Sequence, residues 1–485
     1  MLENKIRKFV LRKGFLSKRP FFYLAFLFIF SYYLIIRAIR VPITHDEAGT
    51  IINYASKSLK DITTYADPIP NNHILNTLLI KSLVSVFGNA EYICRMPNIL
   101  AGIMYGLFFY LLANRLFSNN KWIFWIFLLC AFANPYLIQF FSLARGYGLS
   151  VGFLLASLYF LVTADKLNNK YWISVLLGAL GVYANLTLLN YFVPLSCLIL
   201  YNLIKDKNYT QIKLCLLIVG ILSAILYLPI TKMIRTDQFH FWGNSGFYTD
   251  TIIPSVDAAL MHNQYLGSKT LIIFSRLIFL VTSTLALVSI FKIVKRKSIE
   301  GYEIPILFVG AIVYNLIQFY LFKIPFLNAR TSLFYFPLFI ISFFVLYNKA
   351  FAQFKPYSIY LLSMLAGCCI LHITRSYNVK SSFEWWFDAN NKQVIEIIRK
   401  DQLNLKIADH SSFKCNWIFQ PSFAYYTLDR KVNIINSPPY NKNLDSTELV
   451  DYYYITSDDK CNWISTNYVE LASFDWNTRF LMKKK

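Results

Sequence analysis

The chain has 485 residues, of which 56% are hydrophobic and 18% aromatic, and this composition excludes an ordinary soluble domain. Its apolar runs reach the roughly 20 residues that a helix needs to cross a membrane, so we predict a polytopic membrane protein. The formal net charge is +22. The basic residues fall mostly in tails and loops between apolar runs, as the positive-inside rule describes, so nucleic acid is not a predicted partner.

The basic segment 1–20 precedes the first apolar run and is predicted to be a cytoplasmic tail. Eleven runs are then predicted to cross the membrane, at 21–36, 93–112, 122–138, 149–162, 172–189, 191–204, 214–230, 271–291, 304–322, 332–346 and 357–373. With this count, most basic loops lie on one side, where they also suit anionic membrane lipids. We therefore predict an all-α transmembrane domain over 21–374 in the plasma membrane.

Two long segments are predicted on the outer face of this domain. The first outer loop spans 41–92 and ends in an apolar run, 74–87, that we interpret as re-entrant or interfacial. The second spans 232–268, and loops of this length without evident structure are often functional.

The composition changes after residue 374. The region 375–485 is polar and aromatic, with short strand-like runs at 431–435 and 452–455, and we predict a compact α/β domain on the outer face. Cys415 and Cys461 both lie in this region. They either pair in an oxidising compartment or remain free thiols.

Two adjacent acids, Asp46 and Glu47, follow the first span in a chain with 26 acidic and 48 basic residues. Thr44 and Glu47 have the spacing of a capping box, so Glu47 either only caps a surface helix or also supports a site. Asp46 would lie at the positive end of the helix dipole, which favours its ionised form. A general base or a metal ligand requires that form.

Cationic side chains are predicted on the same face. Arg145 lies at a span end, Arg330 precedes a span, and His73 stands in the first outer loop. Such residues bind phosphate, although the arginines are also suited to anchoring lipid head groups and His73 to capping a helix. His45 is expected to orient its neighbours.

Sequence motifs typical of metal-binding and nucleotide-binding sites are absent from this chain. The sequence contains no His-x-x-x-His, no Cys-x-x-Cys and no glycine-rich phosphate loop. A protein zinc cage and a nucleotide site are therefore not predicted. A divalent metal at Asp46 and Glu47 remains compatible with the sequence, which does not demand one.

The stretch Thr-His-Asp-Glu-Ala at 44–48 resembles the acidic motif of the GT-C membrane glycosyltransferases, in particular the bacterial protein O-mannosyltransferase and aminoarabinose-transferase branch. Three further stretches, 71–75, 95–102 and 134–147, resemble segments of the same branch. The resemblance is specific over 40–165 and general beyond it. Ile74 and Leu75 replace the two prolines that often follow the family's His or Lys, which leaves the role of His73 open.

The resemblance implies an all-α membrane domain with a small extracytoplasmic α/β domain. It also implies an inverting transferase that moves one sugar from a polyprenyl-phosphate donor to a glycan, lipid or protein acceptor on the periplasmic side. Asp46 corresponds to the base or metal-binding carboxylate and Glu47 to its support. Arg145, His73 and Arg330 correspond to the phosphate-binding residues, and Tyr147 completes the Arg-x-Tyr pattern.

Two other classes of protein remain open. A transporter or flippase of lipid-linked sugars would be expected to carry ionisable residues near the middle of its spans. The spans contain few such residues, Arg276 being the main exception, and this favours an enzyme. A sensor with an outer ligand-binding domain would leave Asp46 and Arg145 far apart.

Overall fold

The structure is a computed structural model, and it describes residues 18–164, 170–238, 243–261, 268–296, 301–351, 355–404, 410–429, 433–441, 444, 448–474 and 478–485. Most of the predicted cytoplasmic tail, residues 1–17, lies outside this part of the chain. The remaining chain forms a helical membrane domain followed by a small α/β region. The predicted fold class is therefore confirmed.

The membrane domain is built from helices of very different length. In chain order they are α1 (Lys18–Arg40), α2 (His45–Gly49), α3 (Leu59–Thr63), α4 (Ile74–Phe87), α5 (Glu91–Phe117), α6 (Lys121–Phe132), α7 (Pro135–Gln139), α8 (Gly146–Thr163), α9 (Tyr171–Ala184), α10 (Leu189–Lys205), α11 (Tyr209–Arg235), α12 (Ile253–Ala259), α13 (Ser268–Arg296), α14 (Glu303–Phe322), α15 (Tyr335–Phe351) and α16 (Lys355–Ser376). Short π- or 3₁₀-helical segments lie at Thr50–Ala55, Phe140–Ser142, Leu186–Leu188, Tyr248–Ile252 and Ala329–Ser332.

Within the described residues, eight helices are long and apolar enough to cross a membrane, or nine if the bent pair α6 and α7 counts as one span. The chain is thus an integral, multi-pass membrane protein. The predicted runs 172–189 and 332–346 correspond to the shorter helices α9 and α15, so the count of eleven stays a prediction.

Two predicted segments differ from the structure in their internal geometry. The run 122–138 is not one straight helix, because the chain bends by 60° where Asn134 caps α7 and Pro135 supplies its first residue. Proline lacks the N–H that would continue the preceding helix, so the chain begins a new helix there. The predicted loop 232–268 contains the helical stretch 248–259, because its apolar side chains pack against neighbouring helices.

Close packing of α5 and α8 fixes the position of the α8 N-terminus. Small residues allow this approach: a Cβ at Gly152 would lie 3.0 Å from the carbonyl oxygen of Ala101. The Asn98 side chain on α5 accepts a hydrogen bond from the backbone N–H of Leu149 and donates to Asn76 on α4. The start of α8, directly after Arg145, is therefore held by two other helices.

The C-terminal region contains α17 (Asn391–Asn404), α18 (Gln420–Asp429), α19 (Asn462–Asn467) and the strands β1 (Ser411–Cys415), β2 (Ile434–Asn436), β3 (Tyr452–Thr456), β4 (Tyr468–Phe474) and β5 (Arg479–Lys484). The strand order is β2-β1-β3-β5-β4. The first three strands are parallel and β5 is antiparallel to both of its neighbours. The central strand β3 is buried on both faces, so its sequence is continuously aromatic and apolar.

The C-terminal region contacts the chain directly before the acidic pair. On α18, the Ser422 hydroxyl donates to the carbonyl of Ile43, and the Tyr426 hydroxyl accepts from the Ile43 N–H. Both backbone groups of Ile43 are thus satisfied by one helix. Cys415 and Cys461 are free thiols in the structure, the first buried and the second exposed.

Candidate active site

Asp46 lies in the first turn of α2, at the edge of a pocket of about 610 Å³. Thr44 caps this helix, and its side chain and that of Glu47 form the capping box that their spacing predicts. The Asp46 side chain is 15% exposed. The short helix therefore holds the carboxylate at the pocket wall with its N-terminal dipole behind it.

Arg145 and Arg330 meet at this carboxylate. Oδ2 of Asp46 lies 3.5 Å from Nη2 of Arg145 and 3.2 Å from Nη1 of Arg330. Oδ2 has no hydrogen-bond partner among the described residues, so these contacts are ion pairs. All three side chains line the same pocket. The structure thus brings together the acidic residue and two of the predicted phosphate-binding residues.

Arg145 is fixed by acceptors from the first outer loop. Its guanidinium donates to the Thr50 hydroxyl at 3.0 Å and to the Asn71 side chain and carbonyl at 2.5 and 3.2 Å. It also contacts the ring of Tyr147, 5.9 Å from its centroid, and its side chain is 1% exposed. Its position is therefore set before any ligand binds.

Arg330 is held by residues that follow the last membrane helix. Its Nη1 lies 4.0 Å from the carboxylate of Glu384, and its guanidinium lies 5.1 Å from the centre of the Trp385 ring. The Tyr136 hydroxyl donates to Glu384. Sequence reasoning missed Glu384 and Trp385. The available signal was the sequence Glu-Trp-Trp at 384–386, directly after the last span.

Charges around the pocket shift two pKa values. Burial raises the pKa of Asp46, but the positive charges of Arg145 and Arg330 outweigh this effect and hold the pKa below its ordinary value. Burial lowers the pKa of His73 well below its ordinary value, and the same two arginines lower it further. Asp46 is therefore ionised and His73 neutral near pH 7.

Glu47 belongs to a buried ion pair rather than to the pocket wall. Its two oxygens lie 2.7 and 2.6 Å from the Arg95 guanidinium, and it also accepts from the backbone N–H groups of Thr44 and Ala144. The side chains of both partners are fully buried. Burial raises the pKa of Glu47, but the charge of Arg95 outweighs it and lowers the pKa overall.

This environment limits what Glu47 can do. A carboxylate that accepts from a guanidinium and two backbone N–H groups has little capacity left for a metal ion beside Asp46. The described residues also contain no group of three or more His, Cys, Asp or Glu side chains that could hold a metal ion. The predicted Asp46–Glu47 metal pair therefore does not fit this geometry, and Glu47 positions the segment that carries Asp46.

The remaining predicted site residues lie close by. His45 lines the pocket, its backbone N–H donates to buried Asp388, and its Nδ1 lies 2.9 Å from the carbonyl oxygen of Ile418. Tyr147 lines the pocket as well. His73 packs its ring edge-on against Tyr147 at 4.8 Å but lines an adjoining cavity instead. The structure thus separates His73 from the arginine pair.

An apolar chamber of about 290 Å³ lies between the membrane helices. Its wall includes Phe247, Ile252, Phe274, Phe308, Phe339 and Ile340. Ser255 in the same wall contacts the Ser332 hydroxyl at 2.7 Å, two residues after Arg330. The chamber wall and the segment that carries Arg330 are therefore in direct contact.

Gly146 permits the close approach that places Arg145. A Cβ at this position would lie 2.1 Å from the carbonyl oxygen of Ala184 and 2.7 Å from Cβ of His73. We expect Gly146→Ala to lower the free energy of unfolding by about 1–3 kcal/mol, the usual effect of overpacking. Thermal unfolding in detergent tests this, with Gly220→Ala as the control because a Cβ at Gly220 meets nothing within 4 Å. Equal melting temperatures of the two variants would contradict the expectation.

Comparisons with known proteins give no match to a family model and no match to a curated protein sequence. Among solved structures, ArnT from Cupriavidus metallidurans bound to undecaprenyl phosphate is similar, with a TM-score of 0.50 and 11% identity over 96% of this chain and 98% of that one. Its apo state gives a TM-score of 0.49 at 10% identity over the same shares of the two chains. An oligosaccharyltransferase from Archaeoglobus fulgidus, with zinc and sulfate, gives 0.40 at 12% identity over 85% of this chain and 62% of that one.

The first of these similarities extends over nearly the whole of both chains, and at this level of identity it concerns the fold. The helical membrane domain and the C-terminal region are both included in it. The chain therefore shares the overall fold of ArnT.

Proposed function

We propose that the chain is an inverting glycosyltransferase that moves one sugar from a polyprenyl-phosphate donor to an acceptor on the outer face of the membrane. The observation that carries the proposal is the Asp46 carboxylate between Arg145 and Arg330 in one pocket. Such a site needs a base for the acceptor and cations for the departing phosphate, and these three residues supply both.

The arginine pair is suited to the donor phosphate. Guanidinium groups present forked N–H donors that match phosphate oxygens. Arg145 is buried and fixed, whereas the Arg330 side chain is 34% exposed and able to adjust. In ArnT, which shares the fold, undecaprenyl phosphate is the bound ligand, and this supports a polyprenyl phosphate here.

The apolar chamber would hold the first part of the lipid tail. Its walls are almost entirely apolar, and its contact through Ser255 and Ser332 brings it beside the segment that carries Arg330. A polyprenyl chain with its phosphate at Arg330 would therefore find apolar surface within the next few isoprene units. Burial of that hydrocarbon favours binding in proportion to its area.

The reaction follows from these positions. An acceptor hydroxyl approaches Asp46 and attacks the anomeric carbon on the face opposite the phosphate, while Asp46 takes its proton. The new C–O bond forms as the bond to the phosphate oxygen breaks, and that oxygen leaves with the electron pair. Arg145 and Arg330 stabilise the negative charge on the released polyprenyl phosphate. Attack from the opposite face inverts the anomeric configuration.

Donor binding also prepares the base. Without donor, both arginines pair with Asp46 and hold its carboxyl pKa below the ordinary value. A donor phosphate is a second anion that competes for the same guanidinium groups. The carboxylate then loses part of its stabilisation, which makes it a stronger base when an acceptor is to be deprotonated.

A transfer assay in proteoliposomes tests the proposal against the flippase alternative. Wild-type protein would receive undecaprenyl-phosphate-linked radiolabelled glucose and, in parallel, lipid, peptide and glycan acceptors. We expect the label to move to one acceptor class, with inverted anomeric configuration in the product. Movement of the intact labelled lipid across the bilayer without a new glycosidic bond would instead support a flippase.

The pH profile tests the ion pairs around Asp46. Because the pKa of Asp46 in the free protein is lowered, its basic form persists at lower pH, and the acid limb of kcat/KM should lie below about pH 4, the ordinary aspartate range. Arg330→Gln removes one of the two lowering charges and should move this limb to higher pH. The exposed Arg399→Gln should leave it in place. An unmoved limb in Arg330→Gln would contradict the assigned cause.

A further inference from the structure

A second cavity adjoins the Asp46 pocket. Its volume is about 260 Å³, which is enough for one monosaccharide. Pro70, Tyr147 and Thr331 line both hollows. A ligand bound to the arginine pair therefore lies next to this cavity.

The cavity has no charged side chain among the described residues that line it. Its polar groups are amides, hydroxyls and one imidazole, contributed by side chains that include His73, Asn190, Gln318 and Thr331. Tyrosine rings and aliphatic side chains form most of the remaining wall. Binding sites of this kind combine apolar surface with a few placed polar groups.

Two buried hydrogen-bonding atoms in this wall lack a partner. Nε2 of His73 and Oδ1 of Asn190 are both buried and have no hydrogen-bond partner. His73 is 6% exposed and Asn190 is 2% exposed. The other ring nitrogen of His73 donates to the carbonyl of Ala184, and Nδ2 of Asn190 donates to the carbonyl of Thr187. Both unpaired atoms are therefore acceptors, and a buried acceptor calls for a donor.

We propose that this cavity holds the glycosyl group of the donor and selects a neutral sugar, whose hydroxyl groups donate to Nε2 of His73 and Oδ1 of Asn190. The inference rests on the proposed function, because the donor phosphate at Arg145 and Arg330 places the sugar beside Tyr147. An amino sugar would carry its ammonium group close to two arginines without a carboxylate in the wall. A uronic acid would bury its carboxylate without a cation in the wall.

The neutral imidazole is consistent with this assignment. Burial and the charges of Arg145 and Arg330 lower the pKa of His73, so its Nε2 keeps a lone pair at neutral pH. In this proposal His73 binds a hydroxyl group of the sugar, instead of the donor phosphate that the sequence predicted. His73 becomes a specificity residue, and the two arginines alone bind the phosphate.

The first test uses the wild-type protein in nanodiscs and compares four lipids that all carry a singly charged phosphodiester: undecaprenyl methyl phosphate, which has no sugar, and undecaprenyl phosphate carrying glucose, 4-amino-4-deoxyarabinose or glucuronic acid. We expect the glucose lipid to bind about tenfold more tightly than the other three, the effect of one or two neutral hydrogen bonds. Equal affinity for the glucose lipid and the sugar-free lipid would overturn the inference and leave the proposed function intact. Failure of all four lipids to bind would overturn the proposed function as well.

The second test removes one acceptor. Asn190→Leu leaves Nε2 of His73 as the remaining acceptor, so it should remove most of the tenfold advantage of the glucose lipid and leave affinity for the sugar-free lipid unchanged. Asn315→Leu is the matched control, because Asn315 is also a buried asparagine on a membrane helix but does not line this cavity. A retained advantage in Asn190→Leu, or an equal loss for both lipids, would contradict the assigned role.

Discussion

Asp46→Asn is expected to lower the rate of sugar transfer by about 10²–10⁴-fold, the usual contribution of a general base. Asparagine has nearly the same shape, so the pocket and the α2 helix are expected to persist. The amide cannot accept the proton of the acceptor hydroxyl. It also removes the anion that pairs with Arg145 and Arg330 in the free protein, so the donor phosphate should bind as tightly as in wild type or more tightly.

This combination of effects distinguishes a base from a structural residue. Single-turnover rates with radiolabelled donor would measure transfer, and binding of undecaprenyl phosphate would measure the affinity of the arginine pair. The exposed Asp458→Asn serves as the matched control and should change neither quantity. Transfer by Asp46→Asn at the wild-type rate would remove Asp46 as the base. A parallel loss of donor affinity and transfer would instead indicate a structural role.

Arg95→Met is expected to have the largest effect on stability, a loss of about 3–5 kcal/mol in the free energy of unfolding, as for other broken buried ion pairs. All five guanidinium N–H groups of Arg95 are used: two bind Glu47, and three bind the carbonyls of Ala38, Val41 and Pro42. Methionine would leave a buried carboxylate without its counter-ion and three carbonyls without donors. The chain between α1 and α2 would lose its anchor.

Thermal unfolding in detergent measures this loss, with the exposed Arg399→Met as the control. Because Glu47 and Arg95 fix the segment that carries Asp46, transfer activity and melting temperature should fall together in Arg95→Met. In Asp46→Asn, by contrast, transfer should fall at an unchanged melting temperature. A melting temperature of Arg95→Met equal to that of the control would contradict a stabilising role for the ion pair.

The candidate site was partly predictable, because membrane topology limits which residues can meet. Asp46, Arg145 and Arg330 all flank apolar runs on the same predicted face. In the structure, one guanidinium nitrogen of each arginine lies within 3.5 Å of Oδ2 of Asp46. Such reasoning identifies residues that share a face but not their contacts. It therefore assigned Glu47 beside Asp46 to the site, whereas Glu47 turns inward to Arg95, and it grouped His73 with the arginines.

The residues that support Arg330 were not predictable in the same way. Glu384 and Trp385 follow α16 in the chain, and the fold places both of them against the Arg330 guanidinium, with Glu384 lining the same pocket. This arrangement depends on packing between elements more than 50 positions apart in the chain. Neither periodicity nor charge patterning contains that information, since both report local structure.

In the fold, too, local features were predictable from the sequence and long-range arrangements were not. Apolar length and helical periodicity predicted most membrane helices, and the change of composition near residue 374 predicted a separate C-terminal domain. The bend before Pro135 was missed because the apolar run continues through it. In the C-terminal region the strand β3 was predicted, but the order β2-β1-β3-β5-β4 depends on long-range pairing that short strand-like runs do not encode.

A cryo-EM structure of the wild-type protein with undecaprenyl phosphate tests the central claim most directly. We expect the phosphate oxygens to accept hydrogen bonds from Arg145 and Arg330, the lipid tail to enter the apolar chamber beside Ser255, and Asp46 to lose at least one of its ion pairs. The phosphate bound elsewhere, with both guanidinium groups still paired to Asp46, would contradict the account.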